Sequence, residues 1–255
     1  MEIFLTIVIA LSGSAFASFF SVVVYRAEKY QGYRGILFGR SYCDACKKQL
    51  VWYELVPIFS YLIQRGKCKK CGEKILLEYW LGEIFFGFGF GLLFAFGGSI
   101  IDYLVLTVLG FLALYDYAAH GVPKKIMNLL LLLGFIYRVV LIAFFQPRDL
   151  LPLLIAVLAA VIFYFVLNKF KKSFGLGDLL VFLFLFFTIS VHMVIAVFFF
   201  SILIGGLVSS ILVLFKKISR KSYVPFIPFI FFAYPLSYVF GEKVLAYFAT
   251  LLQLW

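Results

Sequence analysis

The sequence predicts an all-α, polytopic helical membrane protein with about eight transmembrane helices and a small cytoplasmic zinc-ribbon-like loop domain. Of the 255 residues, 65% are hydrophobic and 14% are charged, and the mean hydropathy is +1.09. Soluble domains average about 45–50% apolar residues, so this chain has too few charged residues for a water-facing surface of its size. The apolar runs are continuous rather than alternating, which favours helices over transmembrane strands.

The spans follow from apolar runs of about 15–25 residues. We place them near 2–25, 79–97, 100–117, 125–145, 149–168, 177–191, 193–215 and 227–251. The first run lacks a basic segment before it and continues past a cleavage-like Ala15-Phe16-Ala17, so we expect a retained helix rather than a signal peptide. The run after Asp178 is too long for one crossing, and His192 is the expected turn. The predicted domains are the first helix, 1–25, a loop domain, 26–78, and a helical core, 79–255.

The basic residues orient these spans. Twenty of the 23 lysines and arginines fall in the loops after the first, third, fifth and seventh spans. Such an excess marks the cytoplasmic side, so both termini are expected outside. The net charge of +11 is therefore explained by topology, with contact to anionic lipid as a secondary role. We expect membrane lipid, and no nucleic acid, as a partner.

Four cysteines in the loop after the first span predict a metal site. Cys43 and Cys46 form one Cys-x-x-Cys pair, and Cys68 and Cys71 form the second, close to the spacing of zinc ribbons. Four thiolates suit a closed, structural zinc site. Two disulfides are the alternative, but thiols stay reduced in the cytoplasm, where the charge pattern places this loop.

Two aspartates, Asp116 and Asp178, lie at the ends of apolar spans on the same predicted face. An ionised carboxylate costs roughly 2.5 kcal/mol or more at bilayer mid-depth, so such residues mark functional sites. Two nearby carboxylates that share a proton can activate a water and polarise a carbonyl. The pair therefore predicts an intramembrane aspartyl protease, whereas an isolated aspartate would be an ordinary helix-end residue. Glu83, within the second span, is left open between substrate contact, contact with the cysteine loop and a hydrogen-bonded acid.

Several motifs together resemble the bacterial type IV prepilin peptidases, which are aspartyl proteases with a Gly-x-Gly-Asp motif. The segments that carry the resemblance, in chain order, are Ser18 to Arg26, Arg40-Ser-x-Cys43-x-x-Cys46, Trp52-Tyr-x-x-x-Pro57-x-x-Ser60-Tyr-Leu, Arg65-Gly-Lys-Cys68-x-x-Cys71, Asp116 with Val122-Pro123, Gly175-x-Gly-Asp178 and Val224-Pro-Phe-x-Pro228-Phe. They occur in the family's order over most of the chain.

The resemblance implies an enzyme of type IV pilus or type II secretion systems in the bacterial inner membrane. It implies cleavage of the basic leader from prepilins or pseudopilins on the cytoplasmic side, with Asp116 and Asp178 as the catalytic residues. It also implies methylation of the new N-terminal amine by S-adenosylmethionine, although no glycine-rich methyltransferase loop locates that cofactor here.

Two other hypotheses remain open at this stage. A protease of the presenilin or signal-peptide-peptidase kind would also carry Tyr115-Asp116 and Gly-Leu-Gly-Asp178, but it would not explain the cysteine loop. A non-enzymatic membrane scaffold with a zinc knuckle would explain the loop but not the aspartates.

Overall fold

The computed structural model describes residues 1–29, 36, 39–144, 151, 153–155, 157–158, 161–162, 165, 169, 175–217, 219, 222 and 224–253. Within these ranges the regular structure is helical, and strand pairing is limited to two isolated β-bridges. The all-α prediction is therefore confirmed.

The structure describes eight α-helices, and all of them except the short α2 coincide with predicted spans. They are α1 (Glu2–Lys29), α2 (Phe59–Ile63), α3 (Leu77–Ala95), α4 (Ile100–Ala119), α5 (Lys124–Phe144), α6 (Leu176–Thr188), α7 (Val191–Leu214) and α8 (Ile227–Gln253), with a 3₁₀ turn at Trp52–Glu54. Five of them, α1, α3, α4, α5 and α7, are long and apolar enough to cross a membrane. The fifth predicted span, 149–168, falls largely outside the described residues, so the count of eight stays a prediction.

The expected break in the long apolar run after Asp178 is present, although it lies slightly before His192. Helix α6 ends at Thr188 and α7 begins at Val191. Ser190 caps the new helix, because its Oγ accepts the backbone N–H of Met193 at 3.4 Å.

Helices α1, α3, α4 and α8 pack on one another, and glycines allow the closest approaches. A Cβ at Gly87 of α3 would lie 2.5 Å from Ser14 Oγ of α1. A Cβ at Gly110 of α4 would collide with the Phe86 ring. Small residues permit such close packing in membranes, where apolar burial alone does not drive helices together. The glycines of α3 thus serve helix packing.

Arg138 of α5 holds the C-terminal end of α6. With 13 residues, α6 rises only about 20 Å, less than the roughly 30 Å of a hydrocarbon core. Arg138, which is buried, donates from Nε to the Phe187 carbonyl at 3.2 Å and from Nη2 to that of Phe186 at 3.0 Å. Its Nη2 also donates to the Ile189 carbonyl. Helix-end carbonyls that lipid cannot satisfy are therefore bonded within the protein.

A second polar contact joins the N-terminal end of α4 to the middle of α8. Ser99 donates to Asp102 Oδ2 from its backbone N–H at 2.7 Å and from its Oγ at 2.6 Å. The Tyr234 hydroxyl donates to Asp102 Oδ1 at 2.7 Å. Asp102 and Tyr234 are both buried, so Asp102 links two helices.

We expect Tyr234→Phe to lower the stability of the protein by on the order of 1 kcal/mol, because it removes a buried hydrogen bond to a carboxylate. Thermal unfolding in detergent, followed by fluorescence-detected size exclusion, measures the change. Tyr103→Phe is the matched control, since the buried Tyr103 hydroxyl has no hydrogen-bond partner among the described residues. Equal losses of melting temperature in the two variants would contradict a specific role for the Tyr234–Asp102 bond.

Candidate active site and metal centre

The four cysteines come together, although 21 residues separate the two pairs in the chain. Their sulfur atoms all lie within 4.8 Å of one another. The Sγ atoms of Cys43 and Cys71 are 3.8 Å apart, and those of Cys46 and Cys68 are 4.0 Å apart. A tetrahedral zinc with Zn–S bonds of about 2.3 Å requires sulfurs roughly 3.8 Å apart. The cluster therefore fits a zinc ion.

Two similar turns present these sulfurs. In the first turn the Lys47 N–H donates to the Cys43 carbonyl at 2.9 Å, and in the second the Gly72 N–H donates to the Cys68 carbonyl at 2.9 Å. Lys47 and Gly72 both have positive φ angles, 57° and 74°. Glycine adopts this conformation without steric cost, whereas Lys47 adopts it at some steric cost. Backbone N–H groups of Cys71 and Lys70 donate to the Cys68 sulfur and lower the pKa of that thiol to about 6, which favours the thiolate that binds metal.

Charged side chains tie the cysteine module, which we define as residues 39–76, to itself and to α1. Lys48 Nζ lies 2.7 Å from Glu54 Oε1 in an ion pair whose acid is buried. Burial alone would raise the pKa of Glu54, but hydrogen bonds from Lys48 and from the Val51 N–H hold it below its usual value. Arg26, near the end of α1, donates to the carbonyls of Gly39 and Arg40 at 3.1 and 3.2 Å. The module is thereby fixed against the membrane helices.

Asp116 lies in the last turn of α4 and is 2% exposed. Its Oδ2 accepts the backbone N–H of Ile227, the first residue of α8, at 3.4 Å. The carboxylate thus faces the N-terminus of a neighbouring helix, where backbone dipoles favour negative charge. The sequence signal for this partner is the proline pair of Val224-Pro-Phe-Ile-Pro228, which ends the preceding loop and starts α8.

Asp178 lies in the first turn of α6 and is 6% exposed. Its Oδ2 accepts the backbone N–H of Gly175 at 3.1 Å, so that it caps its own helix. The residue before it, Gly177, packs against Val122, to which an added Cβ would approach within 3.4 Å. This contact joins the segment that follows Asp116 to the one that precedes Asp178.

The structure brings the two aspartates into one buried region. Helices α4 and α6 contact each other, and Gly177, beside Asp178, packs against Val122, six residues after Asp116. His120 ends α4 in the left-handed conformation, with φ 51°, and turns the chain toward Val122. Two interacting carboxyl groups in a buried setting can hold one proton between them, which is the arrangement that acid–base cleavage of an amide requires.

Family comparison gives an independent result for both halves of the chain. Residues 11–96 match the bacterial peptidase A24 N-terminal domain, which includes the cysteine module. Residues 103–210 match the type IV leader peptidase family, which includes both aspartates.

Curated proteins that the chain resembles carry the name prepilin leader peptidase/N-methyltransferase. The Bacillus subtilis protein is 31% identical over 84% of this chain and 86% of its own length. The Vibrio cholerae protein is 32% identical over 54% of this chain and 58% of its own length. The Klebsiella pneumoniae protein is 29% identical over 66% of this chain and 78% of its own length. No solved structure matches the chain.

We expect the purified protein to contain one zinc ion per chain, because four thiolates at these separations close a tetrahedral site. Cys43→Ser or Cys71→Ser should release the metal and unfold the surrounding turns, since binding and local folding are one process. Elemental analysis measures the zinc content, and proteolysis measures the unfolding. Asp44→Asn is the control, because Asp44 lies between two ligands but bonds to the Tyr25 hydroxyl at 2.7 Å. Full zinc retention in the serine variants would contradict the assignment.

Proposed function

The chain belongs to the type IV leader peptidase family, and we propose that it removes the basic leader of type IV prepilins or pseudopilins with Asp116 and Asp178 as its catalytic dyad. The observation that supports the proposal is the burial of two carboxyl groups on helices that contact each other, Asp116 in the last turn of α4 and Asp178 in the first turn of α6. The proposed substrate is inferred from the name of the relatives, prepilin leader peptidase/N-methyltransferase.

The dyad would act by acid–base chemistry. One carboxylate, ionised, removes a proton from water while the water oxygen attacks the scissile carbonyl carbon. The other carboxyl, protonated, donates a hydrogen bond to the carbonyl oxygen. When the C–N bond breaks, a proton passes to the leaving amine, which becomes the new N-terminus. The backbone N–H groups of Ile227 and Gly175 hold one oxygen of each carboxyl, which supports fixed positions for both acids.

The site would lie near the cytoplasmic membrane face. Asp116 is four residues before the left-handed turn at His120. Asp178 directly follows Gly177, a few residues after a basic segment of the sequence. The excess of lysine and arginine in the loops supports a cytoplasmic position for these helix ends, and the family implies the bacterial inner membrane. A prepilin has its basic leader on that side, so its cut bond would reach the dyad without a deep passage into lipid.

The second half of the proposal is N-methylation of the new N-terminus by S-adenosylmethionine, for which the relatives' shared name is the support. The zinc would be structural, since four cysteine ligands leave no position for a reacting water. Residues 1–25 would then be the first transmembrane helix, 26–78 the metal-binding domain and 79–255 the protease core. A presenilin-like protease would leave the match of residues 11–96 unexplained, and a non-enzymatic scaffold would leave the match of residues 103–210 unexplained.

Asp116→Asn and Asp178→Asn should each reduce leader cleavage by several orders of magnitude, because asparagine keeps the shape but cannot exchange the proton. Incubation of purified protein with a prepilin, followed by gel mobility and mass spectrometry, measures the cleavage. Glu242→Gln is the control, since Glu242 is an exposed acid on α8. Both asparagine variants should keep their zinc and their elution volume. Near-normal cleavage by either variant would remove that aspartate from the mechanism.

The proposed orientation predicts the location of each loop. Residues 26–78, 118–124, 169–176 and 216–224 should face the cytoplasm, and Trp255 should lie outside, because the positive charges stay inside. Fusions to green fluorescent protein and alkaline phosphatase report the two sides. An active cytoplasmic reporter after Trp255 would show that the number of spans is odd.

A further inference from the structure

The short helix α2 of the cysteine module carries its apolar side chains on the outside. Phe59, Leu62 and Ile63, which repeat at helical spacing, are all exposed, and Ile63 keeps 61% of its surface accessible. The polar Ser60 and Gln64 instead line a cavity against α1 and α3. A helix on a water-facing surface shows the opposite pattern, with its apolar residues toward the core.

The segment before α2 is exposed in the same way, and Trp52 alone keeps 77% of its surface accessible. We call the exposed apolar residues of this segment and of α2 the apolar patch: Trp52, Tyr53, Leu55, Val56, Phe59, Leu62 and Ile63. A domain that lies free in water rarely exposes so many large apolar side chains in so short a segment, so the patch indicates an interaction surface.

Two contacts place α2 beside the membrane helix α3 rather than beyond its end. The Ile58 N–H donates to Glu83 Oε2 at 2.7 Å, and the Tyr61 ring stacks on that of Trp80 with centroids 5.2 Å apart. Glu83 is the seventh residue of α3, so it lies about 9 Å along the axis from the start of that helix. Helix α2 is therefore level with the first two turns of an apolar span.

The same hydrogen bond answers the question that the sequence left open for Glu83, since it is a contact with the cysteine loop. It also holds a strained turn. Ile58 has φ 65° and ψ −54°, and the Phe59 N–H donates to the Pro57 carbonyl at 2.7 Å. This γ-turn with positive φ is unfavourable for a β-branched residue, so the bond to Glu83 helps to fix the direction in which α2 leaves the turn.

Exposed cations flank the apolar patch. Four of them follow α2 in the chain: Arg65, Lys67, Lys69 and Lys70. Lys69 Nζ lies 5.0 Å from the centre of the Tyr53 ring, which belongs to the patch. The acid of this segment, Glu54, is buried and paired with Lys48. Tryptophan and tyrosine beside cations are the side chains that the headgroup region of a membrane favours.

We propose that the cysteine module is an interfacial domain, whose apolar patch inserts into the membrane leaflet beside α3 and whose flanking cations bind anionic lipid headgroups. The partner of the patch is the lipid of the membrane that α3 spans.

The depth of α2 agrees with this partner. Interfacial helices bury their apolar face about 5–10 Å into the boundary between headgroups and acyl chains, and Glu83 holds the start of α2 at about 9 Å from the start of α3. The cysteine turns hold the cations close to the patch, so that apolar burial and attraction to anionic lipid act on one rigid unit. The side of the membrane follows from the proposed orientation, but the insertion itself depends on neither cleavage nor methylation.

Quenching of Trp52 fluorescence by lipid is the first test. The chain has three tryptophans, so Trp80→Phe combined with Trp255→Phe leaves Trp52 as the sole emitter. The full-length variant is placed, one chain per disc, in nanodiscs of phosphatidylcholine and phosphatidylglycerol, with or without bromine on the acyl chains near the headgroup. We expect brominated lipid to remove about half of the emission or more, and iodide in the water to quench it little, because the ring is inserted. Emission that iodide quenches and brominated lipid does not would overturn the insertion.

A charge placed in the patch is the second test. In the same background, Ile63→Asp should lower quenching by brominated lipid about twofold or more, because a carboxylate resists transfer into the interface and is repelled by anionic headgroups. Gln49→Asp is the matched control, since it adds the same charge to the module at an exposed position outside the patch and keeps an acceptor for Arg40. Both variants should keep the zinc content and elution volume of their parent. Equal quenching in the two would overturn the role of the patch.

The composition of the discs separates lipid from other partners. With one chain per disc and no prepilin, lipid is the partner present, so protection of Trp52 that requires two chains per disc or added prepilin would overturn the proposal. Discs without phosphatidylglycerol should give weaker quenching, and unchanged quenching would remove the headgroup contacts of the cations. Leader cleavage is measured on the same discs. Cleavage without quenching of Trp52 would refute the interfacial domain and leave the proposed function intact.

Discussion

Polar groups buried among apolar helices must find partners inside the protein, and most of the arrangement described here depends on that constraint. Lipid offers no hydrogen bonds, so an unpaired carboxylate or helix-end carbonyl costs several kcal/mol. Asp102 and Arg138 meet the constraint by bonding to other helices. Asp116 and Asp178 meet it with backbone N–H groups. For Asp102, Arg138 and Asp116 the partner lies on another helix and also fixes where the two helices meet. Asp178 instead caps its own helix.

The two aspartate helices are consequently held at the ends away from their acids. Asp102 anchors the start of α4 to Tyr234, whereas Asp116 lies in the last turn of the same helix. Arg138 anchors the end of α6, whereas Asp178 lies in its first turn. Near the acidic ends, Val122 of the segment that follows α4 packs against Gly177 in the first turn of α6. In the proposed function, the loops at those ends would admit a substrate segment while the anchored helices keep the two carboxyl groups in fixed positions.

The sequence predicted the features that depend on residues close together in the chain. The helices follow from local apolar runs, and the cysteine cluster follows from two Cys-x-x-Cys pairs, which need only a shared turn geometry. The Tyr234 partner of Asp102 lies 132 residues away, and the carbonyls held by Arg138 lie 48 to 51 residues away. Such pairs depend on which helix faces meet, and hydropathy does not encode that. Glu83 lies between these two cases. Its position in an apolar span indicated burial, but its hydrogen-bond partner, the backbone N–H of Ile58 25 residues away, could not be predicted.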